Sequence, residues 1–202
     1  LTFHELFVIV TMVEVHGDGG DMATAREDVI DRILQQQIGA IFQGKAEMGA
    51  RALGNRSIIF DPRVANGKDI VNRVKKREWY RPFAASVLLE HAADWFVMGQ
   101  VRESPWMLFA LPTRPERIAQ IPAVVHVDGT CRAQTVTRAQ NPKWYDLIAA
   151  FHAKTGVPLL LNTSFNLAGE PLVHTREDAL DTLARSELDF VYFADQEEVI
   201  AK

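Results

Sequence analysis

The sequence predicts an α/β domain in which helices pack on a twisted, mixed sheet. Three observations lead to it. At 202 residues, with 48 % hydrophobic and 24 % charged side chains, the chain suits one α/β domain or at most two small ones, with a sizeable core. Short, continuously apolar runs bounded by turn residues occur between segments of helical periodicity. The two kinds of segment follow each other without strict alternation, so the sheet is expected to be partly parallel. Disordered, collagen-like and low-complexity classes are excluded by the same composition.

Taken in order, residues 1–22 hold an apolar stretch, Phe7 to Val15, and then a loop-like run, His16 to Asp21. They read as an edge strand or as the remnant of an interdomain segment. Helix is expected from Ala25 to Gln36, with Thr24 and Glu27 in capping-box spacing and Val29, Ile30, Ile33 and Leu34 on one face. Strands are expected at Ile38–Phe42 and Arg56–Phe60, and a short helix at Lys68–Lys75. A strand at Phe83–Leu89 and a helix near Ala92–Val97 follow. Trp106–Leu111 and Ala123–Val127 are strand candidates, and Gly129-Thr130 turns the chain into a strand at Arg132–Val136. Helix from Pro142 to Lys154 carries its own punctuation: Asn141 as cap, Pro142 at the first position, Gly156 as the stop. Val157–Leu161 reads as a buried strand, Thr175 caps a helix reaching Ala184, and Phe190–Phe193 is the last expected strand. There is no internal repeat, and no Pro- or Ser-rich linker after residue 23.

The formal net charge is −4, which by itself argues against a general nucleic-acid binder. The charge is unevenly placed. Residues 41–85 carry ten basic and four acidic side chains, while the remainder carries twelve basic and twenty-two acidic. A single cysteine, Cys131, excludes an intrachain disulfide and a Cys-based zinc site, and suits a reducing cytoplasm. No apolar run approaches the roughly 20 residues that span a bilayer, and the N-terminus lacks the basic start of a secretory signal. The first residue is Leu1, so a longer parent protein is expected.

Three loops hold the side chains suited to chemistry. In the first, Gly49 to Ser57, two glycines bracket a bend bearing Arg51 and Arg56, with Glu47 just before it. Arginine forks grip phosphate bidentately and glycines admit an anion close to the backbone; the alternative is a solvated basic loop. The second, Val74 to Phe83, carries Lys75, Lys76, Arg77, Trp79, Tyr80 and Arg81. It reads as a nucleic-acid patch with stacking rings or as a solvated helix end. A third reading has Lys75, Arg77 and Arg81 converging on a phosphate or carboxylate, since like charges do not gather without a counter-charge. Trp79 is the one tryptophan suited to stacking on adenine. In the third loop, Leu160 to Pro171, Asn162, Ser164 and Asn166 follow a buried strand, where they either hydrogen-bond a polar ligand or cap turns. His126 and Asp128 alternate along a strand candidate, but without a third ligand a core or turn role is expected. Cys131 is expected to be an inert apolar side chain. No Ser/His/Asp arrangement, P-loop or dinucleotide fingerprint is present.

At these loops the sequence resembles the C-terminal domain of the O-carbamoyltransferases, the group that includes nodulation and antibiotic-tailoring enzymes. The stretches GARALGNRSIIFDPR, VKKREWYRPFAAS, SPWM, HVDGTCRAQTV and LLNTSFNLAGEPLV carry the likeness, in family order, across roughly residues 23–195. The resemblance implies a YrdC-like fold, with residues 1–22 a separate N-terminal segment or linker and 23–202 the domain. It implies formation of a carbamoyl-adenylate from carbamoyl phosphate and ATP, with Mg²⁺ arriving on the nucleotide. It further implies that an N-terminal actin-like domain, absent from these 202 residues, holds its own metal and passes the carbamoyl group to a hydroxyl acceptor.

By position, the family's lysine–x–arginine pair falls on Lys75 and Arg77 and its RPF arginine on Arg81. Its serine–x–asparagine pair falls on Ser164 and Asn166; these five are the expected catalytic residues. Arg51, Arg56 and Arg132 match the family's further arginines and are expected to bind ATP. No metal ligands are expected in this chain, although Glu47 is a candidate helper for Mg²⁺. The chain departs from the pattern at Ala50, where a proline is usual, at Lys45, where an arginine is usual, and over residues 1–22. The competing expectations are a non-catalytic RNA- or nucleotide-binding YrdC-like module, which the overall acidity disfavours, and a docking domain that completes a larger enzyme.

Overall fold

The structure is a computed structural model, and it describes residues 24–202; the segment at residues 1–22 lies outside the described residues. Helix α1 (Ala25–Leu34) begins at the Thr24–Glu27 capping box, in which the Thr24 side chain accepts from the Glu27 amide and the Glu27 carboxylate accepts from the Thr24 amide. Two backbone donors at the helix start are satisfied in this way. Val29, Ile30 and Ile33 form its buried face. Strands β1 (Gly39–Phe42) and β2 (Arg56–Phe60) follow, then α2 (Gly67–Val74), β3 (Ala84–Leu88) and α3 (Leu89–Trp95). Beyond them come β4 (Ala110–Pro112), α4 (Pro115–Ile118), β5 (Thr130–Val136) and α5 (Pro142–Thr155). The chain closes with β6 (Leu159–Ser164), α6 (Arg176–Arg185), β7 (Phe190–Phe193) and β8 (Glu198–Ala201).

The eight strands form one sheet in the order β4-β5-β3-β6-β2-β1-β7-β8. Only β3–β5 and β1–β7 pair in parallel; the other neighbours are antiparallel. The expected mixed α/β class therefore stands. Its core is continuous from Ile30 and Ile33 through Ile41, Ile58, Leu160 and Phe190, with Trp144, Leu147, Ile148 and Phe151 of α5 among the fully buried side chains. Helix α5 starts on the Asn141 side chain, which accepts from the Trp144 amide, and stops at Gly156 with φ +73°. That left-handed residue is the reason for a glycine there.

Three expectations about elements are corrected. Trp106–Leu111 is not a strand; only Ala110–Pro112 is. Met107 has φ +55° and turns inward, while Trp106, Leu108 and Phe109 stay exposed. A positive φ is incompatible with extended pairing, whatever the apolar pattern. Ala123–Val127 is a chain of turns, in which Val124 donates to the Ile121 carbonyl and Gly129 to the His126 carbonyl. Ala123 and Val124 are buried by a folded-back loop and not by a ladder, and Val127 is exposed. Strand β6 continues three residues beyond Leu161, so Asn162 and Ser164 lie within the sheet. Helix α4 and edge strand β8 had no clear sequence signal.

Strand register positions the site. Ala110, Arg132, Ala84, Asn162 and Ile59 stand opposite one another across β4, β5, β3, β6 and β2. Residues paired in this way share a face of the sheet, as do positions two apart along a strand. Arg132, Ala84, Asn162 and Ser164 therefore rise from one face, with Ser86 and Gln134 in the neighbouring row.

Candidate active site

The basic segment of the sequence folds into two parts, one structural and one open to ligand. Glu47 organises the first. Its Oε1 accepts from the amides of Leu53 (2.7 Å), Asn55 (2.8 Å) and Arg56 (3.4 Å), so a single carboxylate oxygen folds the loop around itself. Arg56 completes the scaffold. Only 3 % exposed, it donates to the carbonyls of Gln43 (2.6 Å), Asn55 (2.9 Å), Gly44 (3.2 Å) and His174 (3.4 Å). Its guanidinium lies 3.5 Å from the centre of the Phe42 ring. Sequence reasoning placed Arg56 among the ATP-binding residues and Glu47 near Mg²⁺. In the structure Arg56 and one Glu47 oxygen are spent on the backbone, because a loop this irregular leaves carbonyls and amides that need partners. Arg51, by contrast, sits exposed at the loop tip.

Gly54 fixes how closely this loop lies on α5. It has φ +106°, and a Cβ added to it would stand 2.4 Å from Cγ of the buried Trp144. Strain and overlap act together. Gly54→Ala is expected to lower stability by about 2–3 kcal/mol, read as a lower thermal midpoint.

The open part is a cleft of about 690 Å³ lined by Lys75, Arg77, Glu78, Arg81, Ser164, Asn166 and the Leu167–Gly169 turn. Lys75 caps the C-terminal end of α2 and reaches across to the end of β6. Its Nζ lies 2.5 Å from the Ser164 carbonyl, 2.9 Å from the Asn166 carbonyl, 3.1 Å from Asn166 Oδ1 and 3.3 Å from Ser164 Oγ. Ser164 Oγ in turn donates to Asn166 Oδ1 at 2.6 Å. Lys75, Ser164 and Asn166 are thus one hydrogen-bonded unit. Burial pushes the Lys75 ammonium down to about 7, and the neighbouring Arg77 charge adds to the effect.

Arg77 is held by the Asn72 side chain (Nε to Oδ1, 2.7 Å) and lies over the Phe83 ring at 4.4 Å. Burial, then Arg81 and Arg132, pull it down to about 10. Arg81 is about half exposed and paired with Glu78 at 2.7 Å. Arg77 and Ser164 also line a smaller cavity of about 100 Å³, with Arg51, Arg132, Asn162 and Met107. Arg132 is pulled down by burial and by the Arg51 charge, and its buried Nε has no hydrogen-bond partner. Among the described residues, Arg81 is the only cation of this group in an ion pair. Lys75 and Arg77 line the larger cavity and Arg77, Arg132 and Arg51 the smaller, and the one carboxylate in either lining, Glu78, is paired with Arg81. Such crowding of like charge costs free energy unless an anion enters.

The remaining expectations divide clearly. Trp79 is exposed and packs edge-on against Tyr80 at 6.0 Å, outside the lining of either cavity. His126 bonds to Thr130 Oγ1 and the Phe83 carbonyl, both at 3.0 Å, which is the turn role expected of it. Burial pushes the Cys131 thiol up to about 12, which leaves it inert. No group of three or more metal-ligating side chains is found among the described residues. Sequence reasoning missed Gln134 and Ser86, polar residues on buried strands that brace Asn162. Inward-facing Ser and Gln at positions 86 and 134, where apolar residues are expected, were the available signal.

These features define a mixed α/β domain with a cation-lined cleft at the end of strand β6. Comparison with known proteins agrees. The family model "Carbamoyltransferase C-terminus" matches residues 30–199, and the chain belongs to that family. It is 52 % identical over 149 residues to nodulation protein NolNO of Sinorhizobium fredii, a match covering 73 % of this chain and 22 % of that one. It is 43 % identical over 186 residues to nodulation protein NolO of Bradyrhizobium diazoefficiens, covering 89 % and 34 %. It is 40 % identical over 136 residues to the 3'-hydroxymethylcephem-O-carbamoyltransferase of Amycolatopsis lactamdurans, covering 67 % and 25 %. The chain thus spans between about a fifth and a third of the length of these relatives. The crystal structure of full-length HypF in its phosphate- and nucleotide-bound form superposes with a TM-score of 0.59 at 19 % identity, over 85 % of this chain and 24 % of that one. This likeness is one of fold, the expected YrdC-like class. No helix among the described residues is long and apolar enough to cross a membrane.

Proposed function

We propose that this chain is the adenylate-forming part of an O-carbamoyltransferase, joining a carbamoyl group to AMP at the expense of ATP. The observation that carries the reading is that Lys75, Arg77, Arg132 and Arg51 line two cavities sharing Arg77 and Ser164, in which the one carboxylate, Glu78, is already paired with Arg81. Two anionic substrates repel each other, and a cleft with surplus positive charge offsets that repulsion. The larger cavity has the volume usual for a nucleotide site. Carbamoyl phosphate and water give carbamate and inorganic phosphate. A carbamate oxygen then bonds to the α-phosphorus of ATP as the bond to the β-phosphate oxygen breaks, and pyrophosphate leaves. No protein nucleophile is needed.

In this reading Lys75 and Arg77 stabilise charge on the α-phosphate, while Arg51 and Arg132 hold the carbamoyl donor. Ser164 and Asn166 keep the Lys75 ammonium aimed, and Arg81, released from Glu78, reaches the outgoing phosphates. Mg²⁺ enters with ATP. We further propose that residues 23–202 form this domain, that it works in the cytoplasm, and that an actin-like domain in the longer parent protein transfers the carbamoyl group to a hydroxyl. The RNA-binding alternative leaves Lys75 unexplained, since a buried ammonium is of no use to a surface electrostatic footprint.

The test is incubation of the chain with ATP, Mg²⁺ and carbamoyl phosphate. Pyrophosphate release that depends on carbamoyl phosphate, together with carbamoyl-AMP, is expected. Nucleotide binding too weak to measure would favour a docking role, and nucleotide binding without either product a non-catalytic nucleotide-binding module. Binding to RNA that falls steeply with salt, again without product, would favour the RNA module.

A further inference from the structure

The loop that carries Arg77 and Arg81 is gathered by a side chain lying outside both cavity linings. Asn72 belongs to α2 and is 1 % exposed. Its Oδ1 accepts from Arg77 Nε at 2.7 Å, and its Nδ2 donates to the carbonyls of Trp79 (3.0 Å) and Arg81 (3.1 Å). Its own carbonyl accepts from the Arg77 amide at 3.1 Å. These partners fix which end of the side-chain amide is which, since an arginine Nε only donates and a carbonyl only accepts. Residues 76–83 contain no helix or strand. Irregular backbone of this kind needs partners outside itself, and Asn72 meets it at four points.

The chemistry of the contact sets Arg77 apart. Among the described residues, five other arginines meet a side chain through Nε: Arg32, Arg63, Arg73, Arg81 and Arg185. Each of them meets a carboxylate. Arg77 meets a neutral amide. A carboxylate orients a guanidinium and neutralises it, whereas an amide orients it and leaves the charge in place. The only other polar contact of the Arg77 guanidinium among the described residues is a 3.5 Å approach of Nη2 to the Pro82 carbonyl. Arg77 is also the one cation that lines both cavities, and the charges of Arg81 and Arg132 oppose its own. An aspartate at position 72 would relieve that repulsion. The chain instead has the residue of the same shape that does not.

We propose that Asn72 is a positioning residue that fixes Arg77 in the wall shared by the two cavities while keeping its charge free for an anionic substrate. The inference deepens the adenylating reading and rests on it for the identity of that anion, ATP. Two substitutions separate holding from neutralising. Asn72→Asp keeps the shape and the acceptor for Arg77 Nε, and adds a negative charge in direct contact with the guanidinium. Asn72→Leu keeps the approximate size, removes every side-chain hydrogen bond and adds no charge.

The experiment joins calorimetric titration of the 202-residue chain with ATP to nitrogen–proton NMR of the arginine Nε–H groups. The Arg77 signal is identified by its absence in Arg77→Lys. In the wild-type chain it is expected to be protected from solvent exchange and to shift when ATP is added. Asn72→Asp is expected to keep a protected Arg77 signal and to bind ATP at least about tenfold more weakly. Asn72→Leu is expected to lose the protected signal. A merely structural role predicts that affinity falls only where the signal is lost. Wild-type ATP affinity in Asn72→Asp, loss of its Arg77 signal, or a protected signal surviving in Asn72→Leu would overturn the assignment. If neither variant folds, the wild-type spectrum decides, because an Arg77 signal that exchanges freely or ignores ATP overturns it as well. The expected signals and affinities without carbamoyl-phosphate-dependent pyrophosphate release leave the role of Asn72 standing and remove adenylation. Pyrophosphate release with an unprotected Arg77 signal does the reverse. A wild-type chain that binds no ATP overturns both.

Discussion

Lys75→Met lowers carbamoyl-phosphate-dependent pyrophosphate release by at least about a hundredfold. The variant keeps most of the stem and its packing and removes only the ammonium. The lysine contributes a charge delivered at one point, held there by four oxygens of Ser164 and Asn166. Stability is expected to change little, since removing a buried charge also removes its desolvation cost, and the carbonyls left behind face an open cleft that water enters. A melting curve close to wild type together with lost activity is the expected pair of results; normal activity would remove Lys75 from the site.

The same residue gives a pH signature. In the free chain Lys75 is held near 7, against an ordinary 10.5. Between those values the unfolded chain carries a proton that the folded chain lacks. The contribution of Lys75 to stability therefore rises with pH across that window and is least favourable below 7. An incoming phosphate reverses the balance by favouring the charged form. ATP binding at pH 8 is expected to take up a proton, seen as a binding heat that depends on the ionisation enthalpy of the buffer. Lys75→Met is expected to abolish that dependence.

Arg56→Ala is expected to be the most destabilising arginine substitution in the basic segment, at about 3 kcal/mol. It deletes a guanidinium that satisfies four backbone carbonyls and covers the Phe42 ring. The urea midpoint should fall with an unchanged slope. Arg56→Lys should recover only part of the loss, because a single ammonium cannot serve carbonyls spread along two loops. A direct phosphate contact would give the opposite pattern, with ATP affinity reduced and stability kept.

The two arginines of the GARALGNRS loop show how far the sequence was legible. Both are charged, five residues apart and two residues after a glycine, and nothing local distinguishes them. The fold sends Arg56 under the loop as a scaffold and leaves Arg51 at its tip, because Arg56 opens β2 and lies beneath the turn that Glu47 gathers. Lys75, Arg77, Ser164 and Asn166 were legible as candidates because resemblance marked them in pairs, and the structure brings all four to one cleft. Asn162, two residues from Ser164, read as a residue that either bonds a polar ligand or caps a turn. Its environment is made by Ala52, Ser86 and Gln134, residues 28 to 110 positions away. The strand expected at Trp106–Leu111 failed for a related reason. Its apolar pattern was real, but Met107 turns inward through a positive φ to roof the small cavity.

By itself, the sequence determined the features that depend on neighbours along the chain. These are the capped helices α1, α5 and α6, the apolar strands, the mixed α/β class, and a surplus of positive charge between residues 41 and 85. Only the tertiary structure decided which cations face one another and which are neutralised by backbone, because that depends on strand order and register. Placing β6 between β3 and β2 sets Asn162 one strand from Ala84 and two from Arg132, and brings Ser164 within reach of Lys75. Coulomb repulsion and unpaired buried atoms act through space, so the cation-lined cleft exists only once the sheet has assembled.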